Sequence, residues 1–207
     1  ALPILKKAII ISGPSGSGKS SLINRLLEDE KDIYFSISST TRNIREGEKD
    51  GVSYHFISED AFKKGIENGE FLEWALVHKN YYGTSLVPVQ KALNSGKFVI
   101  FDIDVQGFKL AKERLKDDIV SIFITTKNKG DLKNRLIKRG TDSKEDIERR
   151  VINAATEMEH LNEYDYLIIN DDFNESYKAL KSIFNAIRYN TKNLELSGII
   201  DNWIYEN

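Results

Sequence analysis

The feature of this sequence that most constrains its fold is a short apolar run followed at once by a glycine-rich loop. The run, Ala8-Ile9-Ile10-Ile11, is typical of a strand buried on both faces of a sheet. Residues 13–20, GPSGSGKS, fit the pattern G-x-x-x-x-G-K-[ST] of a phosphate-binding loop, the P-loop. The apolar spacing of residues 22–27 predicts an amphipathic helix directly afterwards. Because strand, loop and helix follow in the order that phosphate binding requires, the segment predicts a nucleotide site; the alternative is a glycine- and serine-rich turn that binds no ligand.

Each part of this loop has a chemical role in holding a nucleotide. The glycines let the backbone approach the ligand, the N–H groups point at phosphate oxygens, and the helix adds the positive end of its dipole. Lys19 is predicted to reach the terminal phosphates, and the Ser20 hydroxyl to bind Mg²⁺. The predicted nucleotide-binding residues here are Gly13, Pro14, Ser15, Gly16, Ser17, Gly18, Lys19, Ser20 and Ser21.

Composition narrows the class of protein. The chain has 207 residues, 40% of them hydrophobic and 30% charged, with a formal net charge of −2, which suits one soluble α/β domain with a small insertion and provides no basic field for nucleic acid or membrane. It has no cysteine, which excludes disulfides, thiol catalysis and cysteine-ligated zinc and fits a reducing compartment, so we expect a cytoplasmic protein. His55, His78 and His160 lack metal-ligand spacing. No apolar run approaches the ~20 residues of a membrane span, and the N-terminal segment ALPILKK is too short for a signal peptide.

The remaining strands and helices alternate along the chain. Three further apolar runs, at residues 98–101, 119–124 and 166–169, resemble the first strand. This pattern predicts a P-loop α/β fold of three layers, with a parallel central sheet covered by helices on both faces. A long helix is expected from Ser143 to about Tyr164.

Shorter, half-polar strands interrupt the alternation at residues 35–95, and residues 80–84 read as a turn. We interpret this stretch as a small α/β insertion over the carboxyl ends of the main strands, where such sheets bind ligands. The core then comprises residues 1–34 and 96–190, and the tail, residues 191–207, has little pattern.

The insertion contains a second set of polar residues. Arg42 and Arg45 flank a turn, and arginine side chains match phosphate oxygens two at a time. Phenolic donors, hydroxyl groups and one carboxylate stand amid apolar residues nearby; they are Tyr54, Tyr82, Ser38, Thr84 and Glu73. By pattern alone Glu73 can equally face solvent on an alternating strand, and the two arginines can be surface charges in a polar loop.

Together these residues carry a resemblance to the guanylate kinase family over residues 8–188. Besides the P-loop, the stretches that carry it are Ser38-Ser39-Thr40-Thr41-Arg42-x-x-Arg45-x-Gly47-Glu48, Gly51-x-x-Tyr54-x-Phe56, Phe71-Leu72-Glu73-Trp74, Asn80-Tyr81-Tyr82-Gly83, Asp102-Ile103-Asp104-x-Gln106-Gly107, Arg135-x-x-x-Arg139-Gly140-Thr141 and Asn170-Asp171. The resemblance implies an enzyme that transfers the γ-phosphate of ATP to GMP, with Mg²⁺, and a fold with a GMP-binding insertion and a helical lid at about residues 128–150.

The resemblance also implies roles for individual residues. The GMP phosphate is expected at Arg42, Arg45, Tyr54 and Tyr82, and the guanine base at Ser38, Thr84 and Glu73, with Asp102 also at the GMP site. Glu73 would accept from guanine N1–H and the exocyclic amine, which adenine does not present together. The ATP site would include Arg135, Arg139, Asn170 and Asp171, and the metal would be held by Ser20, Asp102 and Asp104, the carboxylates acting through water.

Phosphoryl transfer spreads negative charge over three oxygens, so the resemblance assigns catalysis to cationic groups. These are Lys19, Arg42, Arg135, Arg139 and Arg150. For the arginines of the lid the alternative is a solvated helix with Glu/Arg pairs, and we prefer this reading for Arg149. For Asp102 and Asp104 the alternative is that both lie in a surface loop.

Two other classes of function remain to be compared with the kinase. A guanylate-kinase-like interaction module usually has a degraded nucleotide loop and is attached to other domains, whereas Lys19 and Ser20 are intact here. A regulatory P-loop GTPase would carry an Asn-Lys-x-Asp segment, which this sequence lacks. We therefore expect an enzyme, in monomeric form, with ATP and GMP as its partners.

Overall fold

The computed structural model describes residues 7–77, 79–116, 119–140, 142–194 and 196–205. His78, Thr141 and the N-terminal residues 1–6 lie outside the described residues, so the expectations for them are not addressed. In chain order the elements are β1 (Ala8–Ser12), α1 (Lys19–Asp29), β2 (Ile33–Ser36), β3 (Ser39–Thr40), β4 (His55–Phe56), α2 (Glu59–Glu67), β5 (Phe71–Val77), β6 (Asn80–Ser85), α3 (Leu86–Asn94), β7 (Phe98–Asp102), α4 (Val105–Leu115), β8 (Ile119–Thr125), α5 (Lys129–Arg139), α6 (Lys144–Met158), β9 (Tyr166–Ile169), α7 (Phe173–Arg188) and α8 (Leu196–Tyr205), with short 3₁₀ turns at Leu161–Glu163 and Thr191–Asn193.

The larger sheet is parallel throughout and has the strand order β2-β7-β1-β8-β9. β1 is fully buried at its centre, and its side chains alternate between two hydrophobic cores. Ile9 and Ile11 pack with apolar residues of α1 and α7, whereas Ala8 and Ile10 pack with those of α3 and α4. Helices therefore cover both faces of the sheet, and the predicted α/β fold class is confirmed.

The edge strand β9 departs from the expectation of a fully buried strand. Only Ile168 is buried, while Tyr166, Leu167 and Ile169 are 41%, 44% and 51% exposed. β9 is an edge strand that pairs only with β8. Its other edge has no neighbouring strand, which leaves its apolar side chains partly open to solvent. Apolar composition predicted the strand correctly but did not reveal its position at the edge.

The second sheet has the order β4-β3-β6-β5 and is formed by the insertion. The prediction of a turn at residues 80–84 is wrong, because this segment is the strand β6, antiparallel to both β3 and β5. The Asn and Gly that suggested a turn coexist with aromatic residues, and Tyr81 stacks with Phe62, which stacks on Phe71. Tertiary packing of these rings outweighs the local turn signal.

The C-terminal region differs from expectation in two places. α6 ends at Met158 instead of near Tyr164, because the chain turns through a 3₁₀ segment and places the Tyr164 ring on Phe108, with centroids 4.1 Å apart. The tail, which has little pattern in the sequence, forms a helix, α8, with large exposed apolar side chains such as Trp203. No helix in the described part of the chain is long and apolar enough to cross a membrane.

Candidate nucleotide-binding site

The P-loop connects β1 to α1 and has a backbone that only glycine accepts at several points. Gly16 and Gly18 have φ of 91° and 86°, in the left-handed region, and Gly18 is the N-cap of α1. A Cβ at Gly13 would lie 1.9 Å from the Ile124 carbonyl oxygen, so the loop leaves β1 pressed against the backbone of β8. The loop lines a cleft of about 620 Å³, together with Asp104, Arg135, Arg139 and Glu157. Such a volume suits a small-molecule site.

Lys19 and Asp102 form an ion pair beneath the loop. The Lys19 Nζ donates to the Asp102 Oδ1 at 2.5 Å, and the two side chains are only 17% and 25% exposed. Asp102 ends β7, which is adjacent to β1 in the sheet, so the pairing of the strands brings the carboxylate to the lysine. The carboxylate thus holds the ammonium group at the mouth of the P-loop.

Arg135 and Asn170 brace the loop from the opposite side. The Arg135 guanidinium donates to the carbonyl oxygens of Ser17 and Asn170, at 3.3 and 2.6 Å, and the Asn170 amide donates to the same Ser17 oxygen at 2.7 Å. Asn170 is buried, so its side chain holds the P-loop in place. Asp171 next to it is exposed and pairs with Lys127 at 3.7 Å.

The pair α5–α6 brings two more of the expected arginines to this cleft. The Arg150 Nη1 donates to the Ser15 hydroxyl of the P-loop at 2.7 Å, and its Nη2 faces the Asp142 carboxylate at 3.4 Å. Arg139, one turn after Arg135 on α5, lines the cleft with an exposed side chain. A small apolar core joins the two helices and sets their arginines side by side; it consists of Leu132, Leu136, Ile147, Val151 and Ala154.

Glu73 points inward because β5 contains an irregularity. Phe71 pairs with Ser85 and Trp74 pairs with Gly83, so three residue steps along β5 match two along β6. This β-bulge changes the direction in which the Glu73 side chain points. The Thr84 hydroxyl donates to the Glu73 carboxylate at 2.6 Å. Burial raises the pKa of the Glu73 carboxyl, and the negative charge of Asp104 raises it further. A half-buried carboxylate held in this way can accept hydrogen bonds from donors of a ligand.

Arg42 lies in an aromatic and acidic setting within the insertion. Its guanidinium carbon lies 5.5 Å from the Tyr54 ring centroid, and the Tyr54 ring meets that of Tyr82 edge-on at 5.9 Å. Glu48 makes two hydrogen bonds to the guanidinium and, with Tyr82, raises the pKa of Arg42. The structure therefore brings Arg42, Tyr54 and Tyr82 together, with Arg45 exposed in the adjoining turn.

Ser38 lies between β2 and β3, where its carbonyl accepts from the His55 N–H at 2.9 Å.

Asp104 is a carboxylate of the P-loop cleft. It lines the P-loop cleft, caps α4 through a bond from the Gly107 N–H at 2.8 Å, and its charge acts on Glu73 in the insertion. The exposed hydroxyl residues Ser20 and Ser21 line the same cleft.

Sequence reasoning missed Glu157, which also lines this cleft. Burial raises the pKa of its carboxyl, as does the charge of Asp104, and its Oε2 atom is buried without a partner among the described residues. A signal was available, since Glu157 follows Arg150 by seven residues, or two helical turns, and so shares its face of α6.

A parallel sheet, a P-loop with a paired lysine, and convergent arginines define the class of P-loop phosphotransferases. A model of the guanylate kinase family matches residues 5–187. The chain is 57% identical over 196 residues to the guanylate kinase of Campylobacter jejuni, covering 94% of this chain and 96% of that protein. It is 52% identical to the guanylate kinase of Helicobacter pylori, covering 94% of each. The crystal structure of guanylate kinase from Anaplasma phagocytophilum matches with a TM-score of 0.71 and 30% identity, over 94% of this chain and 92% of that one.

The chain belongs to the guanylate kinase family. The expected family and the expected enzyme class are confirmed. The protein is a nucleotide-binding kinase, a transferase of nucleotide metabolism.

Proposed function

We propose that this chain transfers the γ-phosphoryl group of ATP to GMP, giving ADP and GDP, with Mg²⁺ as cofactor. The observation that carries the proposal is the P-loop cleft, where Lys19 and the arginines of α5 and α6 converge, in a chain of the guanylate kinase family. The proposal puts the triphosphate donor in this cleft and the purine monophosphate acceptor in the insertion, aligned for direct transfer. Phosphoryl transfer needs such an alignment above all, because positioning and charge stabilisation supply most of its catalysis.

The donor nucleotide is assigned to the P-loop. Its backbone N–H groups and the start of α1 would hold the β- and γ-phosphates, and Lys19, kept at the loop by Asp102, would follow the transferring group. The arginines of α5 and α6 would share the charge that develops on the three equatorial oxygens. Arg135 and Arg150 already contact the P-loop at Ser17 and Ser15.

The acceptor is assigned to the insertion. The GMP phosphate would lie at Arg42, Tyr54 and Tyr82, with Arg45 from the turn, and one of its oxygens would attack the γ-phosphorus directly, so no protein nucleophile is required. The Glu73 carboxylate would accept from guanine N1–H and the exocyclic amine. Thr84, which donates to Glu73, and Ser38 complete the base site. Adenine offers a lone pair at N1, which a buried carboxylate repels.

The residues at the cleft fit Mg²⁺ held mainly through its own waters. Ser20 is exposed in the first turn of α1, one oxygen of Asp104 is engaged in capping α4, and Glu157 has a buried oxygen without a partner in the described ranges. Asp102 is engaged with Lys19, so we assign it a smaller share than Asp104. Among the described residues no three His, Asp or Glu side chains are grouped to bind a metal ion directly, which agrees with a cation that dehydrates reluctantly. When bound, Mg²⁺ neutralises charge on the β- and γ-phosphates.

A coupled assay of ADP release tests the proposal, with ATP as donor and GMP, AMP, UMP or CMP as acceptor. We expect rapid turnover with GMP and turnover with AMP lower by at least two orders of magnitude. Equal rates with all four acceptors, or none with GMP, would contradict the assignment of the base site. The expected monomeric state and cytoplasmic location stay predictions.

A further inference from the structure

The strongest unassigned contact near the acceptor site is a two-pronged ion pair between Arg42 and Glu48. The Arg42 Nη1 donates to the Glu48 Oε2 at 3.0 Å, and the Nη2 donates to Oε1 at 2.7 Å. The side chains are only 11% and 22% exposed. Planar, two-bond pairing of this kind orients a guanidinium group more strictly than a single contact does.

Glu48 also organises the loop that carries both arginines. Its Oε2 accepts from the Arg45 backbone N–H at 2.8 Å, and its own N–H donates to the Arg45 carbonyl at 3.1 Å. Arg42 is tied to the sheet at the other end of the loop, where its N–H donates to the Thr40 hydroxyl at 3.2 Å. One carboxylate therefore holds the turn that spans residues 42–48.

The donors that remain on Arg42 share one edge of its guanidinium group. A guanidinium has five N–H donors. Glu48 takes two of them, and the Asn43 carbonyl oxygen takes the second N–H of Nη1 at 2.8 Å. The Nε–H and the outer Nη2–H, which lie on the same side of the group and run nearly parallel, are not engaged by Glu48 or Asn43, and the Tyr82 hydroxyl hydrogen-bonds to the guanidinium group beside them. Two parallel N–H donors match two oxygens of a phosphate.

Aromatic rings lie beside the Arg42 guanidinium group. The Arg42 guanidinium carbon is 5.5 Å from the Tyr54 ring centroid and 5.6 Å from that of Phe56. Tyr82 interacts with the guanidinium as well, so the phenol assigned to the phosphate stands beside Arg42. Glu48 pairs with the end of the guanidinium group, and the two rings lie beside it.

We propose that Glu48 is a positioning residue for the acceptor phosphate. By occupying the Nη1/Nη2 end of Arg42 and bracing Arg45, it turns the Nε–H/Nη2–H edge of Arg42 toward the phosphate of the nucleoside monophosphate. Glu48 stays in place when the phosphate binds, because the two anions use different edges. This inference rests on the proposed function and deepens it.

The alternative is that Glu48 mimics the phosphate and must leave when the substrate arrives. The two roles predict opposite signs. Removing a competitor strengthens GMP binding, whereas removing a positioning residue weakens it.

The experiment compares Glu48→Gln and Glu48→Ala with Glu46→Gln, a control that changes an exposed carboxylate two residues away in the same loop. Calorimetry measures the Kd of each variant for GMP and for guanosine, which lacks the phosphate, and steady-state kinetics measures KM and kcat for GMP and ATP. We expect Glu48→Ala to weaken GMP binding about tenfold or more, which is roughly 1.4 kcal/mol. Glu48→Gln, which retains one acceptor, should weaken it less. Guanosine affinity and the KM for ATP should stay within about twofold for every variant.

Several outcomes would overturn the inference. GMP affinity that rises in Glu48→Ala would identify a competitor, and affinities equal to those of Glu46→Gln would leave Glu48 without a role in the phosphate site. Equal losses for GMP and guanosine would indicate general damage to the insertion. Thermal unfolding of each variant identifies any that fail to fold, in which case Glu48→Gln provides the milder test. If the unmodified enzyme binds no GMP, the proposed function fails instead.

Discussion

At the scale of single residues, the Lys19–Asp102 ion pair joins a P-loop side chain to the end of β7. Lys19→Ala should lower kcat about 10²-fold or more, since the ammonium group is assigned to the charge that develops on the transferring phosphoryl group. The matched control is Lys31→Ala, which removes an exposed lysine just after α1. Initial rates with saturating ATP and GMP measure the effect, and circular dichroism establishes that both variants fold. Near-normal turnover by Lys19→Ala would remove this residue from the mechanism.

Glu73 is a second residue whose surroundings predict a measurable change. Glu73→Gln keeps the size of the side chain but turns an amide N–H₂ toward a guanine donor, so kcat/KM for GMP should fall about 10²-fold. AMP should remain a poor substrate, and KM for ATP should change by no more than a few-fold. Kinetics with GMP and ATP varied separately measure this, and an unaltered kcat/KM for GMP would mean that the base is recognised elsewhere.

The same substitution should stabilise the protein at neutral pH. Burial and the charge of Asp104 raise the pKa of the Glu73 carboxyl in the folded state above its ordinary value of 4.5. The folded state then binds the proton more tightly than the unfolded state, so this group lowers stability as the pH rises from 4.5 through the raised pKa. Urea unfolding at pH 7 should therefore show Glu73→Gln to be more stable than the unmodified protein, with the difference shrinking toward pH 4.5. A difference independent of pH would contradict this account.

At the scale of elements, the β5–β6 hairpin determines where Glu73 points. A Cβ at Gly83 would lie 2.7 Å from the Glu73 carbonyl oxygen and 2.9 Å from the Trp74 Cβ, so Gly83→Ala should force the strands apart and cost roughly 1–3 kcal/mol. The shift should also raise KM for GMP and leave KM for ATP unchanged. Urea unfolding and steady-state kinetics measure the two effects.

Gly198→Ala in α8 is the matched control for the hairpin variant. A Cβ there meets nothing within 4 Å, so we expect a neutral or slightly stabilising change, by up to about 1 kcal/mol. Gly83→Ala with unaltered stability would show that the hairpin adapts to the added methyl group, and the argument from the bulge would then fail.

At the scale of the whole molecule, the proposed donor and acceptor sites are on separate segments. The insertion is linked to α4 by a contact of 3.5 Å between Arg114 and the Leu72 carbonyl, and α6 is linked to the P-loop through Arg150 and Ser15. We expect residues 35–95 and about 135–150 to close over the core when both nucleotides bind, which excludes water from the reaction. Small-angle scattering should show a smaller radius of gyration with GMP and a non-hydrolysable ATP analogue than with neither. Identical profiles would indicate a rigid, preformed site.

Local pattern alone was sufficient for much of this molecule. The order of strand, glycine-rich loop and helix predicted the P-loop, and the alternation of apolar runs with helices predicted the parallel sheet, because both depend on neighbours in the chain. The N-terminal caps of helices are also local in sequence. At the start of α6, for example, the Ser143 hydroxyl accepts a hydrogen bond from the Asp146 N–H.

Only the tertiary structure decided features that depend on partners distant in sequence. Residues 80–84 form a strand because rings from α2 and β5 pack on Tyr81, and Glu73 points inward because β5 bulges against β6. β9 is exposed because it lies at an edge, a position that its own residues do not encode. The convergence of Asp104 and Glu157 at the P-loop cleft is likewise a property of the assembled fold. The sequence by itself therefore determined the nucleotide-binding loop and the α/β class. The direction in which each charged side chain points depends instead on packing between residues far apart in the chain, which the local periodicity of the sequence does not report.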